Sequence, residues 1–148
     1  MPEGLTGALG VGQHMPHPLE VAPRLVIRIV GVQRNAVPEQ EFLLLQNQGG
    51  LRVKLRGHVV MSDCAIDNGS LGSSAHVFAD DALIPAGMYV LLASGVGESR
   101  WAKTKDGQMI YYCYMNRTQP VWEHCPGAVH VLAPQHTYVD RGPALLLR

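Results

Sequence analysis

The sequence predicts an all-β domain, an antiparallel β-sandwich, and three observations carry that reading. The first is the alternation Leu51-Arg52-Val53-Lys54-Leu55-Arg56. Successive side chains of a strand point to opposite faces, so the three apolar residues share one face and the three basic ones the other; a helix would mix them. The second is the recurrence of short β-branched and aromatic runs between Gly-, Pro- and Asn-containing turns, with no amphipathic helical window of useful length. The third is composition. Charged residues make up 16% of the chain, below the roughly 25% usual for soluble domains, and 16 Gly and 10 Pro punctuate it.

Taken in order, residues 1–23 read as a flexible lead-in, because glycines alternate with small residues and Pro16, Pro18 and Pro23 prevent a sustained helix. The domain is expected over 24–141. Leu25 to Val30 is a first strand, with Leu25, Ile27 and Ile29 on one face, and Phe42 to Leu45 a second, ending at the turn-forming run Gln46 to Gly50. The alternating strand Leu51–Arg56 follows, then Gly57 and a strand from His58 to Met61. Asp63 to Ser74 reads as a polar loop and Ala75 to Phe78 as a strand. After the turn Leu83-Ile84-Pro85-Ala86-Gly87, the unbroken apolar run Met88 to Ala93 suits a central strand. Gly95 to Gly107 is read as a loop carrying Trp101, Met109 to Met115 as an aromatic strand, and Ala128–Leu132 with Thr137–Asp140 as the last pair. Residues 142–148 form an apolar tail in which Leu145, Leu146 and Leu147 would be an association site if exposed.

The bulk numbers exclude some functions. A chain of 148 residues suits one domain with tails. Twelve basic and twelve acidic residues give zero formal net charge, which removes the global argument for a nucleic-acid binder and weakens the repulsion that opposes self-association. No run approaches the ~20 apolar residues of a membrane-spanning helix, so no transmembrane segment is expected. Met1-Pro2-Glu3-Gly4 lacks the basic start and apolar core of a signal peptide. That favours the cytoplasm, with an exported chain whose leader has been removed as the alternative. Three widely spaced cysteines do not make a disulfide framework; buried thiols are the plainer expectation, and one Cys113–Cys125 bond is the alternative for an exported protein.

The order of several pieces resembles the lamin-tail domain. Glu41-Phe42-Leu43-Leu44-Leu45-Gln46-Asn47, a Gly-containing turn, Val53-Lys54-Leu55-Arg56-Gly57-His58 and Ser62-Asp63 are similar to its first half. Phe78 and Leu83-Ile84-Pro85-Ala86-Gly87-Met88-Tyr89-Val90-Leu91 continue the likeness. Val121-Trp122, Gly127 and Val129-His130-Val131-Leu132 resemble the late strands of bacterial members, so the likeness covers about residues 25–140. It implies an immunoglobulin-like β-sandwich. In nuclear lamins the domain is an interaction module linked to chromatin, DNA and proteins, and bacterial versions occur alone or beside hydrolases. Three positions depart from the pattern: His58 stands where Trp is common, Leu44 where an acidic residue is usual, and Ala128 where Asp is frequent.

No GxSxG, HExxH, P-loop or dinucleotide fingerprint occurs, and Gly95-Val96-Gly97 is a lone GxG that reads as a turn. His124, Cys125, His130 and His136 are of zinc-ligand type but without finger spacing, as are His14 and His17 in the lead-in. Asp80-Asp81 with Asp63 or Asp67 could supply calcium oxygens, although the spacing is not an EF-hand. A Cys–His nucleophilic pair lacks any visible activating device. Neither a cofactor nor a metal is therefore expected, and the chain reads as a non-enzyme. Arg52, Lys54 and Arg56 form a basic stripe, either a face for an anionic partner or, as preferred, solvated surface that discourages edge pairing. Among the aromatics, Tyr112 is expected inward and Tyr111 outward. The resulting expectation is a module that binds a protein partner or its own copy. The alternative is an accessory module for nucleic acid or carbohydrate acting beside a hydrolase, with nucleic acid the less favoured partner.

Overall fold

A computed structural model describes residues 26–141, and within them the regular structure is mostly β with very little helix. Ten strands form: β1 Ile27–Gln33, β2 Phe42–Asn47, β3 Val53–Lys54, β4 Val59–Ser62, β5 Ala75–Val77, β6 Leu83–Ile84, β7 Tyr89–Ala93, β8 Arg100–Lys103, β9 Met109–Tyr114 and β10 Val129–Leu132. They make a five-stranded sheet in the order β1-β2-β7-β9-β8, a three-stranded sheet β10-β4-β5 and a two-stranded ribbon β3-β6. The lead-in and the Leu145–Leu147 tail lie outside the described residues.

The five-stranded sheet is mixed, which corrects the purely antiparallel expectation. β7 and β9 run parallel because the chain leaves β7, crosses to the sheet edge as β8, and turns back through β9. Trp101 therefore sits in a strand, where the sequence reading had a loop: the hairpin turn at Lys105–Gly107 brings Arg100–Lys103 back onto β9. β7 is the central strand, as its apolar run predicts.

Core side chains come from all three sheets: Ile27, Leu43, Leu45, Val90 and Leu92 from the large sheet, Val60 from the small one, and Ile84 from the ribbon. Leu55 and Phe78, just outside assigned strands, and Trp122 are also fully buried. Each such side chain removed from water is worth about 1.5–3 kcal/mol.

The alternation Leu51–Arg56 is only partly a strand. Val53 and Leu55 do turn inward, with Leu55 fully buried, but Leu51 is 82% exposed. The cause is Asn47, whose buried amide donates to the Leu51 and Ile84 carbonyls (2.9 Å each) and accepts from the Gly49 N–H. That side chain fixes a turn through residues 48–51 and directs Leu51 to solvent. Gly57 adopts φ +94°, a left-handed conformation that costs glycine little; this lets the chain reverse from β3 into β4. Two further local corrections follow. Asp63–Asn68 is a short helix, α1, ended by Gly69 in the left-handed conformation. Thr137–Asp140 forms no strand.

Residues 115–128 contain no regular strand or helix, yet Val121, Trp122 and Cys125 are buried. Backbone groups taken from water need partners, and here side chains supply them. Glu41, fully buried, accepts from Ser94 Oγ (2.6 Å), Val121 N–H (2.6 Å) and Trp122 N–H (3.1 Å) through Oε1, and from Glu123 N–H (2.7 Å) through Oε2. Arg34 binds the opposite groups, donating from Nε to the Trp122 carbonyl (3.0 Å) and from Nη2 to the Gly127 carbonyl (2.8 Å). A disulfide joins Cys64 of α1 to Cys125, with Cα atoms 6.1 Å apart. This corrects the free-thiol reading for Cys64 and Cys125, and it corrects the Cys113–Cys125 alternative. Cys113 stays a free thiol, turned into the core by β9, while Cys125 is taken by Cys64.

Two outcomes test these restraints. Glu41→Ala, which strands four donors, is expected to lower the unfolding free energy by about 3 kcal/mol or more, against roughly 1.5 kcal/mol for Ser94→Ala, by urea denaturation. Reducing the Cys64–Cys125 bond, which closes a loop of sequence separation 61, should cost about 4 kcal/mol on the chain-entropy model, measured as a shift in the same curve.

Candidate interaction surface

Residues paired across neighbouring strands share a face, so the register shows what the large sheet presents on each side. One side holds Leu45, Val90 and Tyr111, and beside them Leu43, Leu92 and Cys113; these belong to the core. The other carries the row Gly31–Leu44–Leu91–Tyr112–Arg100 and, below it, Gln46–Tyr89–Ile110–Ala102. Leu44, Tyr89, Leu91 and Tyr112 are half-buried and Ile110 is buried, although none of these outer residues joins the core cluster.

The outer face is apolar across four strands, and its charges sit at the margins. Arg28 lies beyond Gln46 on β1. Arg100 on β8 is held with its guanidinium 4.3 Å from the Tyr112 ring centroid, a cation–π arrangement that keeps the edge ordered. Loops close one end of the face. A Cβ at Gly97 would stand 2.5 Å from the Tyr114 ring, and one at Gly95 would stand 2.9 Å from the Glu39 backbone. The Gly95-Val96-Gly97 run is thus a close-packed turn, and its glycines are explained by those neighbours.

The residues singled out in the sequence are placed as follows. Arg52, Lys54 and Arg56 are all exposed. Arg56 donates to the Ala79 carbonyl (2.8 Å), so its guanidinium also ties the ribbon to the segment after β5. Tyr111 is inward and Tyr112 outward, the reverse of expectation, because β9 pairs in register with β7 so that Tyr111 faces Val90. Cys125 is bonded to Cys64, so it offers no thiolate to a metal, and His130 pairs with Asp63 at 2.7 Å. Asp80 accepts from Tyr111 Oη (2.7 Å) and Ser99 Oγ (2.6 Å), a different partnership from that of Asp63. Among the described residues no three His, Cys, Asp or Glu side chains group as metal ligands would.

Cys113, the one free thiol, is a poor nucleophile: burial first, and the Asp80 charge second, hold its pKa far above the ordinary thiol value. A cleft of about 600 Å³ runs between α1, the Gly72–Ser74 turn and residues 117–125. Its Arg117 guanidinium is committed to the Ser73 and Ala75 carbonyls (3.1 Å each), so that charge is structural.

Sequence reasoning missed the outer face because its residues read singly as ordinary strand positions. Only the register, which places Leu44, Leu91 and Tyr112 side by side, makes them one surface. Comparisons with protein-family models, curated proteins and solved structures found no match.

The titratable groups make stability fall with acidification in two steps. His58 and His76 have lowered pKa values, chiefly through burial. They stay neutral in the fold while the unfolded chain protonates near 6.5, so stability is full above that value and falls as pH drops through it. Asp63 is lowered by the hydrogen bond from His130 and by the Ala128 N–H. Its contribution is present above the unfolded value of 3.8 and is lost as pH falls below it. Urea midpoints should therefore decline between about pH 7 and 5 and again in strong acid, with Asp63→Asn removing part of the second decline.

Proposed function

We propose that the chain is a non-catalytic interaction module of lamin-tail type, built as an immunoglobulin-like β-sandwich. It engages a protein partner or a second copy of itself through the outer face of the five-stranded sheet. The observation that carries this reading is the uncharged, half-buried row Leu44–Leu91–Tyr112 with Tyr89 beside it. An apolar centre with aromatic anchors and a charged margin is the usual anatomy of a protein interface.

Two positions that depart from the lamin-tail pattern are compatible with it. His58, at a position where the resemblance expects Trp, is 4% exposed and hydrogen-bonded through Nδ1 to the Leu55 carbonyl (3.0 Å), which suits an inward-facing position. Leu44, where an acidic residue is usual, lies on the outer face between Gly31 and Leu91 of the central strand. Replacing a carboxylate by Leu there makes the face suited to burial. The Cys64–Cys125 bond favours an oxidising compartment over the cytoplasm.

A second reading, an accessory module beside a hydrolase, has its own observation in Trp101, 39% exposed on the edge strand. Within that reading carbohydrate is preferred to nucleic acid, because the exposed stripe Arg52, Lys54 and Arg56 belongs to a chain of zero net charge.

Leu91→Lys and Leu44→Glu test the main reading. Each is expected to weaken self-association or partner capture roughly tenfold or more, since a central interface side chain is worth about 2 kcal/mol, while Trp122 emission stays that of a buried indole. Sedimentation across a concentration series measures the first, and photo-crosslinking from position 112 the second. A wild-type chain that stays monomeric, and gives the same crosslinks from position 112 as from the exposed turn residue Asp106, would rule the reading out.

A further inference from the structure

We infer that the open edge formed by β8 and the segment around Asp80 is a saccharide subsite, with Trp101 as its stacking platform and Asp80 as its hydroxyl acceptor. The inference rests on the accessory-module reading and is independent of docking at the outer sheet face. Trp101 pairs in register with Tyr111 and so projects to the core side of the sheet, at the margin where the core ends. Its ring centroid is 5.0 Å from that of Tyr111 at an interplanar angle of 57°, so the tyrosine steadies an indole that keeps 39% of its surface in solvent.

The same tyrosine fixes the acceptor. Tyr111 Oη donates to Asp80 Oδ2 at 2.7 Å, and Ser99 Oγ donates to the same oxygen at 2.6 Å. With Oδ2 occupied twice, the carboxylate cannot turn freely, and no described residue donates to Oδ1. A partly exposed indole and a half-buried carboxylate held in one orientation thus share Tyr111 as their common support, one against its ring and the other on its hydroxyl. A sugar ring offers the complementary pair of features, an apolar C–H face for the indole and a hydroxyl edge for the carboxylate.

The surrounding charges narrow the ligand class. Lys103, two residues along β8 and so on the same face as Trp101, opposes a cationic peptide. Asp80 and the exposed Glu98 oppose phosphate. A neutral, hydroxyl-rich ligand is the class that both sets tolerate. The shallow, exposed geometry suits a segment of a polysaccharide better than a free monosaccharide, which would need enclosure to gain enough contact.

The experiment uses the two tryptophans, of which Trp122 is fully buried and Trp101 exposed, so quenching by acrylamide reports on Trp101. The probes are β-1,4-linked oligosaccharides of glucose, N-acetylglucosamine, mannose and xylose, with oligo-lysine and single-stranded DNA as charged controls. At least one oligosaccharide is expected to protect Trp101 saturably. Trp101→Phe should keep part of the binding, Trp101→Ala should abolish it, and Asp80→Asn should weaken it about tenfold. Leu91→Lys should leave it unchanged. Retention of the sugar by Trp101→Ala, seen as retardation in polysaccharide-containing gels, overturns the subsite and leaves the accessory reading standing. Absence of any oligosaccharide binding overturns both, and stronger protection by oligo-lysine or DNA overturns the subsite in favour of that ligand.

Discussion

The fold depends on a carboxylate hidden from water. Glu41 stands just before β2, at the start of the strand that holds β1 to β7, and its two oxygens take four donors from segments some 50 to 80 residues distant. Without those bonds the stretch from Asn116 to Gly127 would carry buried amides with no sheet to receive them. A hydrophobic residue at 41 could fill the volume but could not order that stretch. The indole of Trp122 shows the dependence well. Its Nε1–H has no partner among the described residues, so the ring is placed by packing and by its own backbone, which Glu41 and Arg34 grip from either side.

That constraint organises what the sheet can present. With the irregular segment held against the core, the strands β1, β2, β7, β9 and β8 lie in one layer whose inner face is filled. The other face is left to Leu44, Leu91 and Tyr112, and the parallel β7–β9 pairing is what aligns Leu91 with Tyr112 rather than Tyr111. The two candidate surfaces thus share a cause. The register that sends Tyr112 outward sends Tyr111 inward, where its hydroxyl meets Asp80 and its ring supports Trp101.

Much of the strand order was legible from local pattern. The runs at Phe42, Met88 and Met109 became strands within a residue or two of their apolar limits, because β-branched and aromatic side chains at period two suit a half-buried sheet. What was not legible depends on partners distant in sequence. Leu51 looked inward by period, yet a hydrogen bond from Asn47 turned it out. Arg100–Lys103 has too short a pattern to announce a strand, and only β9 makes it one. The cysteine pairing could not be read from spacing, since α1 brings Cys64 beside Cys125 while β9 turns Cys113 into the core. The basic stripe was visible and proved exposed; the apolar face was invisible until the registers were known.

The Cys64–Cys125 bond also divides the chain topologically. It closes a covalent ring that contains β5 to β9, while β1 to β4 and β10 lie outside it. The large sheet is woven from both parts: β1 and β2 from outside, β7, β9 and β8 from within. Tension applied along the backbone would pass from Cys64 to Cys125 through sulfur and bypass the enclosed strands. Both candidate surfaces draw residues from the enclosed strands, Leu91 and Tyr112 for one and Trp101 for the other, so a module of this design could bear load at its ends while sparing the strands that supply most of its contacts.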